Sequence, residues 1–241
     1  MCSIIGRPMG AVHPEVADRA RPVTLADQRL LPVLPALESV LPGRGLRRGS
    51  TVSVMGAPSL ALALLAGASS AGSWCAAVGL PALGLVAAAE LGVVLPRLAM
   101  VPRPGREWAS VVATVVDAVE VVLVAPPPGG VRPPDARRLA ARCRERGTVL
   151  VAAGRWDGAD VRLRVATSRW AGLGQGAGHL RARRVEVVTE GRGAAARPRR
   201  SWLWLPADGG GVTTCATGEP PGELGAKTRA GARDLQAGTA G

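Results

Sequence analysis

The chain has 241 residues and a formal net charge of +12, from 30 Lys plus Arg against 18 Asp plus Glu. That length suits one sizeable α/β core with tails and argues against two full domains. Cys2, Cys75, Cys143 and Cys215 are widely spaced with no C-x-x-C pair, and His13 and His179 stand alone. Neither a metal site nor a disulfide framework is therefore expected, and the free thiols suit a reducing cytoplasm.

Residues 1–30 form an amino-terminal segment to which no element is assigned; it lacks the sustained apolar run of a secretory signal. The stretch from Gly49 to Ala89 has no charged residue and is long enough to cross a bilayer. Pro58, Gly67, Gly72 and Pro81 divide it into pieces shorter than a spanning helix. Buried parallel strands and their covering helices give the same apolar run, so no membrane association is expected.

From residue 50 onward, β-branched runs alternate with Ala- and Leu-rich helical patterns, the signature of βα units in a parallel sheet. Strands are expected at Thr51–Met55, Trp74–Gly79, Arg97–Val101, Glu120–Ala125 and Thr148–Ala153. Helices are expected near Ser59–Ala68, Ala82–Leu91, Glu107–Ala118 and Pro134–Arg146; in the last, Leu139 and Cys143 make an apolar i, i+4 stripe among arginines. After Gly154 three alternating segments, Val161–Thr167, Arg181–Thr189 and Arg199–Leu205, read as a closing antiparallel meander. The fold class is thus α/β, a three-layer core at 31–205 with a mainly parallel sheet. Residues 206–241, rich in Gly, Thr, Ala and Pro, read as a disordered tail.

The turn Met55-Gly56-Ala-Pro-Ser59 lies where a P-loop would follow its strand. Such a loop needs glycines for close backbone approach, a Lys for the β and γ phosphates, and a hydroxyl for magnesium. Gly56 and Ser59 are present in this degenerate P-loop, but the only lysine is Lys227, in the tail. The strand Glu120–Ala125 ends in Ala125-Pro126-Pro127 where an Asp would order magnesium, and the second strand ends in Gly79-Leu80-Pro81 where a water-orienting base would sit. No catalytic residue, cofactor or metal is expected, and ATP hydrolysis is not.

The lead-in Leu41-Pro-Gly-Arg-Gly-Leu-Arg-Arg-Gly-Ser-Thr-Val-Ser-Val-Met-Gly56, the run Gly72-Ser-Trp-Cys-Ala-Ala-Val-Gly79, Ala89–Val93 and the strands up to Ala125 resemble the RecA core. Val161–Val165 and Arg184–Val188 follow in the order of its late strands. Leu31-Pro-Val-Leu-Pro-Ala-Leu37, the Gly-Ser-Trp-Cys run and the long uncharged centre more closely resemble the ImuA-prime family, actinobacterial mutasome accessory proteins within the ImuA and RecA-like group. The resemblance implies a partner of ImuB, a catalytically inactive Y-family polymerase homologue. Through it the chain would act with an error-prone C-family DNA polymerase in damage-induced translesion synthesis. Segments Pro126–Pro134 and Arg155–Asp160, in place of the DNA-contacting loops of RecA, are very short, which argues against a RecA-style filament. The competing readings are a SulA-like division inhibitor and a residual RecA-like DNA-binding ATPase.

Residues 126–205 hold 17 Arg against 6 acidic side chains. This bias admits weak, nonspecific DNA contact of steep salt dependence, or simply a solvated basic face. The end of the fold, Arg199-Arg200-Ser-Trp202-Leu-Trp204-Leu205, places both Trp on one strand face and both Leu on the other. Arg199, Arg200, Trp202 and Trp204 are the partner-binding candidates; the alternative is that the two Trp pack within the domain.

Overall fold

The structure, a computed structural model, describes residues 29–174 and 177–215. Expectations for 1–28 and 216–241, Lys227 included, lie outside the described residues. A small two-stranded sheet joins β1 (Leu30–Leu31) to β2 (Leu46–Arg47). The main sheet contains β3 (Thr51–Met55), β4 (Cys75–Val78), β5 (Leu98–Val101), β6 (Val121–Val124), β7 (Val149–Ala153), β8 (Val161–Gly174), β9 (Ala177–Gly191), β10 (Arg199–Trp204) and β11 (Thr213–Thr214). Its spatial order is β5-β4-β6-β7-β3-β8-β9-β10-β11. Pairings from β5 through β8 are parallel, and those from β8 through β11 are antiparallel.

Four helices connect the parallel strands: α1 (Pro58–Ser70), α2 (Leu85–Glu90), α3 (Trp108–Val116) and α4 (Pro133–Arg146). Alternation along the strands divides the core in two. Val121, Leu123, Val149 and Val151 pack with α1 and the segment Leu31–Leu41, while Val122, Val124, Leu150 and Ala152 pack with α3 and α4. Every position from Leu60 to Ser69 is buried. Most of the charge-free run from Gly49 to Ala89 is therefore spent on a buried strand, a buried helix and a second buried strand, with its last part, from Leu80, largely exposed. No helix among the described residues is long and apolar enough to cross a membrane.

Residues Leu31–Leu41 cross α1 at Gly67. A Cβ built there would lie 2.3 Å from the Val33 Cα, so only glycine permits the crossing. Pro133 starts α4, where a missing N–H costs nothing, and Gly147 ends it in the left-handed conformation at φ 71. Asp117, at the end of α3, receives Arg142 and Arg146 from α4. The Arg142 hydrogen bond is the main cause holding the Asp117 carboxyl below its ordinary pKa.

The antiparallel end departs from expectation in two respects. The segments expected at Val161–Thr167 and Arg181–Thr189 form a much longer hairpin, because register shifts between Val165 and Thr167 and between Ala171 and Leu173 interrupt the simple alternation without ending the ladder. The expected disordered tail does not begin at Pro206. Thr213 and Thr214 pair with Trp204 and Leu203, the Ala207 N–H donates to the Gly211 carbonyl, and Ala207 and Cys215 pack at Trp204. Backbone pairing to the outer edge of β10 compensates for the few apolar side chains of this segment.

Candidate functional site

In an open parallel sheet, ligands sit beyond the carboxyl ends of the strands. Here β3 passes into α1 through two residues, Gly56 and Ala57, where a P-loop uses a longer stretch to surround a phosphate. Gly56 has φ +84, and a Cβ there would meet the Val165 carbonyl at 3.4 Å, so the backbone of β8 lies directly behind the turn. Pro58 at the first turn of α1 removes one N–H that an anion would need.

Ser59 is already engaged. Its Oγ accepts a hydrogen bond from Arg183 Nη2 at 2.7 Å, while Arg183 Nε donates to the Leu205 carbonyl at 2.8 Å. The guanidinium also lies 5.5 Å from the centre of the Trp170 ring. Partial burial lowers the Arg183 pKa from its ordinary value. This arginine comes from the antiparallel hairpin, more than a hundred residues away in sequence, and occupies the hydroxyl of this turn.

The neighbouring strand ends are closed in the same way. At the end of β6, the Ala125 carbonyl accepts the Trp108 indole N–H at 2.9 Å and the Ala125 N–H donates to Val78. The Pro126 ring lies against the Gly154 position. Past β4, the Gly79 N–H donates to the Val101 carbonyl. Among the described residues no three His, Cys, Asp or Glu side chains group to hold a metal. Burial raises the Cys75 thiol to about 11 and the Cys143 thiol to about 12. Both remain protonated at neutral pH, which leaves them poor nucleophiles.

A cavity of about 420 Å³ lies at the opposite, amino-terminal edge of the strands, bounded by Leu30, Leu41, Leu46, Val52, Asp160 and Arg192. Its carboxylate is occupied: Asp160 Oδ2 accepts the Thr51 N–H at 2.9 Å and the Thr51 hydroxyl at 3.0 Å. Asp160 therefore ties the start of β3 to the entry of β8.

The four carboxyl-terminal candidates separate on folding. Trp204 is 2% exposed and packs with Ala182 and Ala207, and its indole N–H has no acceptor among the described residues. Trp202 is half-buried beneath the Arg184 guanidinium at 4.2 Å. Arg200 bonds Glu186 at 2.7 Å, and this is the main cause holding that carboxyl below its ordinary pKa. Arg199 is exposed. The structure thus assigns Trp204 to packing and leaves Arg199, Arg200 and part of Trp202 accessible.

One surface was missed by the sequence reading. Leu85, Val86, Val94 and Leu95 are exposed, Val86 by 74%, beside the edge strand β5. The available signal was α2 itself, Leu-Val-Ala-Ala-Ala-Glu, a helix too short and apolar to have a solvated face.

Residues 39–158 match a family model described as the MT3502 N-terminal domain. This segment belongs to that family. The matched span runs from before β2 to just before β8, so it takes in β2 to β7 and all four helices and omits β8 to β11. The uncharacterized protein Rv3395c of Mycobacterium tuberculosis is 41% identical over 115 residues, covering 47% of this chain and 56% of the relative. The alignment thus spans little more than half the length of that curated relative.

Proposed function

We propose that this chain is a non-catalytic accessory subunit of a DNA-damage-induced translesion synthesis complex, binding an ImuB-type Y-family polymerase homologue and, through it, an error-prone C-family polymerase. The observation that carries the non-catalytic reading is the Arg183–Ser59 contact in front of a two-residue turn. The guanidinium takes up the only hydroxyl of that turn, and neither a P-loop lysine nor a magnesium-ordering carboxylate accompanies it. The partner reading rests on the ImuA-prime resemblance of Leu31–Leu37 and Gly72–Gly79. It is supported by the exposed apolar edge formed by β5 and α2, since exposed apolar patches and unpaired strand edges serve as docking surfaces.

Two measurements test this reading. The full chain should hydrolyse no ATP above background with or without single-stranded DNA; turnover that a change at Ser59 abolishes would defeat the non-catalytic half. In a pull-down with the ImuB-type homologue encoded by the same genome, the wild-type chain should capture it, and Val86→Glu with Leu95→Glu should lose capture at unchanged circular dichroism. Capture of the tubulin-like division protein in its place would favour the SulA-like reading.

A further inference from the structure

The antiparallel end of the sheet has one face without helical cover, closed at the Trp204 end by Ala207 and Cys215 and open beside Arg162, Arg164 and Arg200. Leu163, Val185, Val187 and Leu203 point toward α1, whereas the cluster beneath α3 and α4 contains no residue of β8, β9 or β10. The register sets what stands on the other side. Met55 pairs with Arg164, which pairs with Val188 and so with Arg200; Thr167, Glu186 and Trp202 form the next row, and Arg169, Arg184 and Trp204 the one after. Arg162 joins the same face two residues before Arg164.

Arg162, Arg164, Arg169 and Arg200 are exposed, and Met55 beside them is 42% exposed. None of the first three forms a salt bridge among the described residues, although Arg164 acts electrostatically on Glu186 and the exposed Glu190 stands opposite Arg162. Glu186 is taken by Arg200 and by the Thr167 hydroxyl. The face is therefore predominantly cationic, with Glu186 and Glu190 set among its arginines and a half-open Trp202–Arg184 stack beside them.

We propose that this outer face of β8–β10 binds single-stranded nucleic acid, its arginines contacting phosphates and the Trp202–Arg184 stack receiving a base. Charge complementarity selects a polyanion, and the aromatic ring beside the cations selects one that carries flat bases. A twisted sheet face without a groove offers no geometry for reading base edges, so binding is independent of sequence. The surface is distinct from the short segments after β6 and β7, and from the apolar edge at β5. Its success or failure is independent of the protein-partner reading.

The test uses the full chain and a fluorescein-labelled oligothymidylate, with anisotropy read at several salt concentrations. The wild-type chain should bind, with affinity falling steeply as salt rises. Arg162→Gln with Arg164→Gln should bind at least about tenfold more weakly, with the salt slope reduced by roughly 1.4 for two lost phosphate contacts. Arg137→Gln with Arg144→Gln, an equal charge change on the exposed face of α4, should bind as wild type. Trp202→Leu should lose about fivefold or more without changing the slope. Equal loss in both double variants would reduce the effect to net charge and overturn the proposal, as would absence of binding at low salt. Polyglutamate that displaces the oligonucleotide at equal charge concentration would overturn it in favour of an acidic protein ligand. If a double variant fails to fold, the single changes Arg162→Gln and Arg164→Gln decide by the same criteria.

Discussion

The two ends of the nine-stranded sheet follow different solutions to the same problem. At the β5 end, strands of four or five residues lie between helices on both faces, and burial of apolar side chains holds them. At the β10 end, strands of up to 15 residues have helical cover on one face only, and the other is held by a stacked tryptophan, cross-strand polar pairs and the packing of Ala207 and Cys215 on Trp204. The first arrangement leaves an apolar edge; the second leaves a cationic face. The lesson is that one continuous sheet can present two chemically unrelated surfaces once its helical cover stops partway across.

The comparison breaks most visibly if core residues at the two ends are exchanged for smaller ones. Leu123→Ala at the parallel end and Trp204→Ala at the antiparallel end should each cost about 3–5 kcal/mol in urea unfolding. Trp204→Phe should differ from both. It keeps most of the packing and removes an indole N–H that lacks an acceptor among the described residues, so its cost should stay below about 1 kcal/mol. A loss as large as that of the Ala variant would mean that the indole nitrogen contributes to the fold.

Gly67→Ala tests how the parallel end is capped. Helix propensity favours alanine by roughly 1 kcal/mol, but its methyl would collide with the backbone of Val33, which cannot rotate away as a side chain could. A net destabilisation of about 1–3 kcal/mol is expected, and a rise in the unfolding midpoint would contradict the crossing.

Asp160→Ala sharpens the comparison at the junction, since it leaves the Thr51 N–H without its carboxylate. A loss of roughly 1–3 kcal/mol is expected, and hydrogen exchange at Thr51 should accelerate.

The smallest effects concern pH, and the buried thiols and the paired Glu186 carboxylate act with opposite signs. Cys75 and Cys143, raised from 9.0 to about 11 and about 12, favour the fold while protonated. Their contribution is complete below the unfolded-state pKa and is lost as pH climbs toward the folded values. Glu186, lowered by the Arg200 hydrogen bond, contributes above the ordinary carboxylate range and loses that contribution as pH falls through its depressed folded value. Replacing Arg200 with Gln should flatten only the acid limb of a thermal-stability profile, and Cys143→Val only the alkaline limb.

Much of the parallel half was legible in the residues themselves. The apolar runs at Val121–Val124 and Val149–Ala153 permit one fully buried strand each, and Pro133 and Gly147 mark the ends of α4 by their backbone chemistry. The boundaries of α2 were less legible: the helix expected from Ala82 begins at Leu85, after the extended Gly84. The absence of a lysine and carboxylate from the P-loop region was equally plain, because it depends on residue identity alone.

Long-range pairing decided the rest. Register shifts extended the β8–β9 hairpin past the point where alternation failed, and edge pairing drew Thr213 and Thr214 out of the expected tail. Arg183 reached Ser59, Trp204 was buried while Trp202 remained half-open, and the helical layer ended before β8. Local sequence specifies which faces of an element are apolar, through the periods of strand and helix. It does not specify which of those faces receive a cover, because that depends on how many elements the chain has left to place over the sheet.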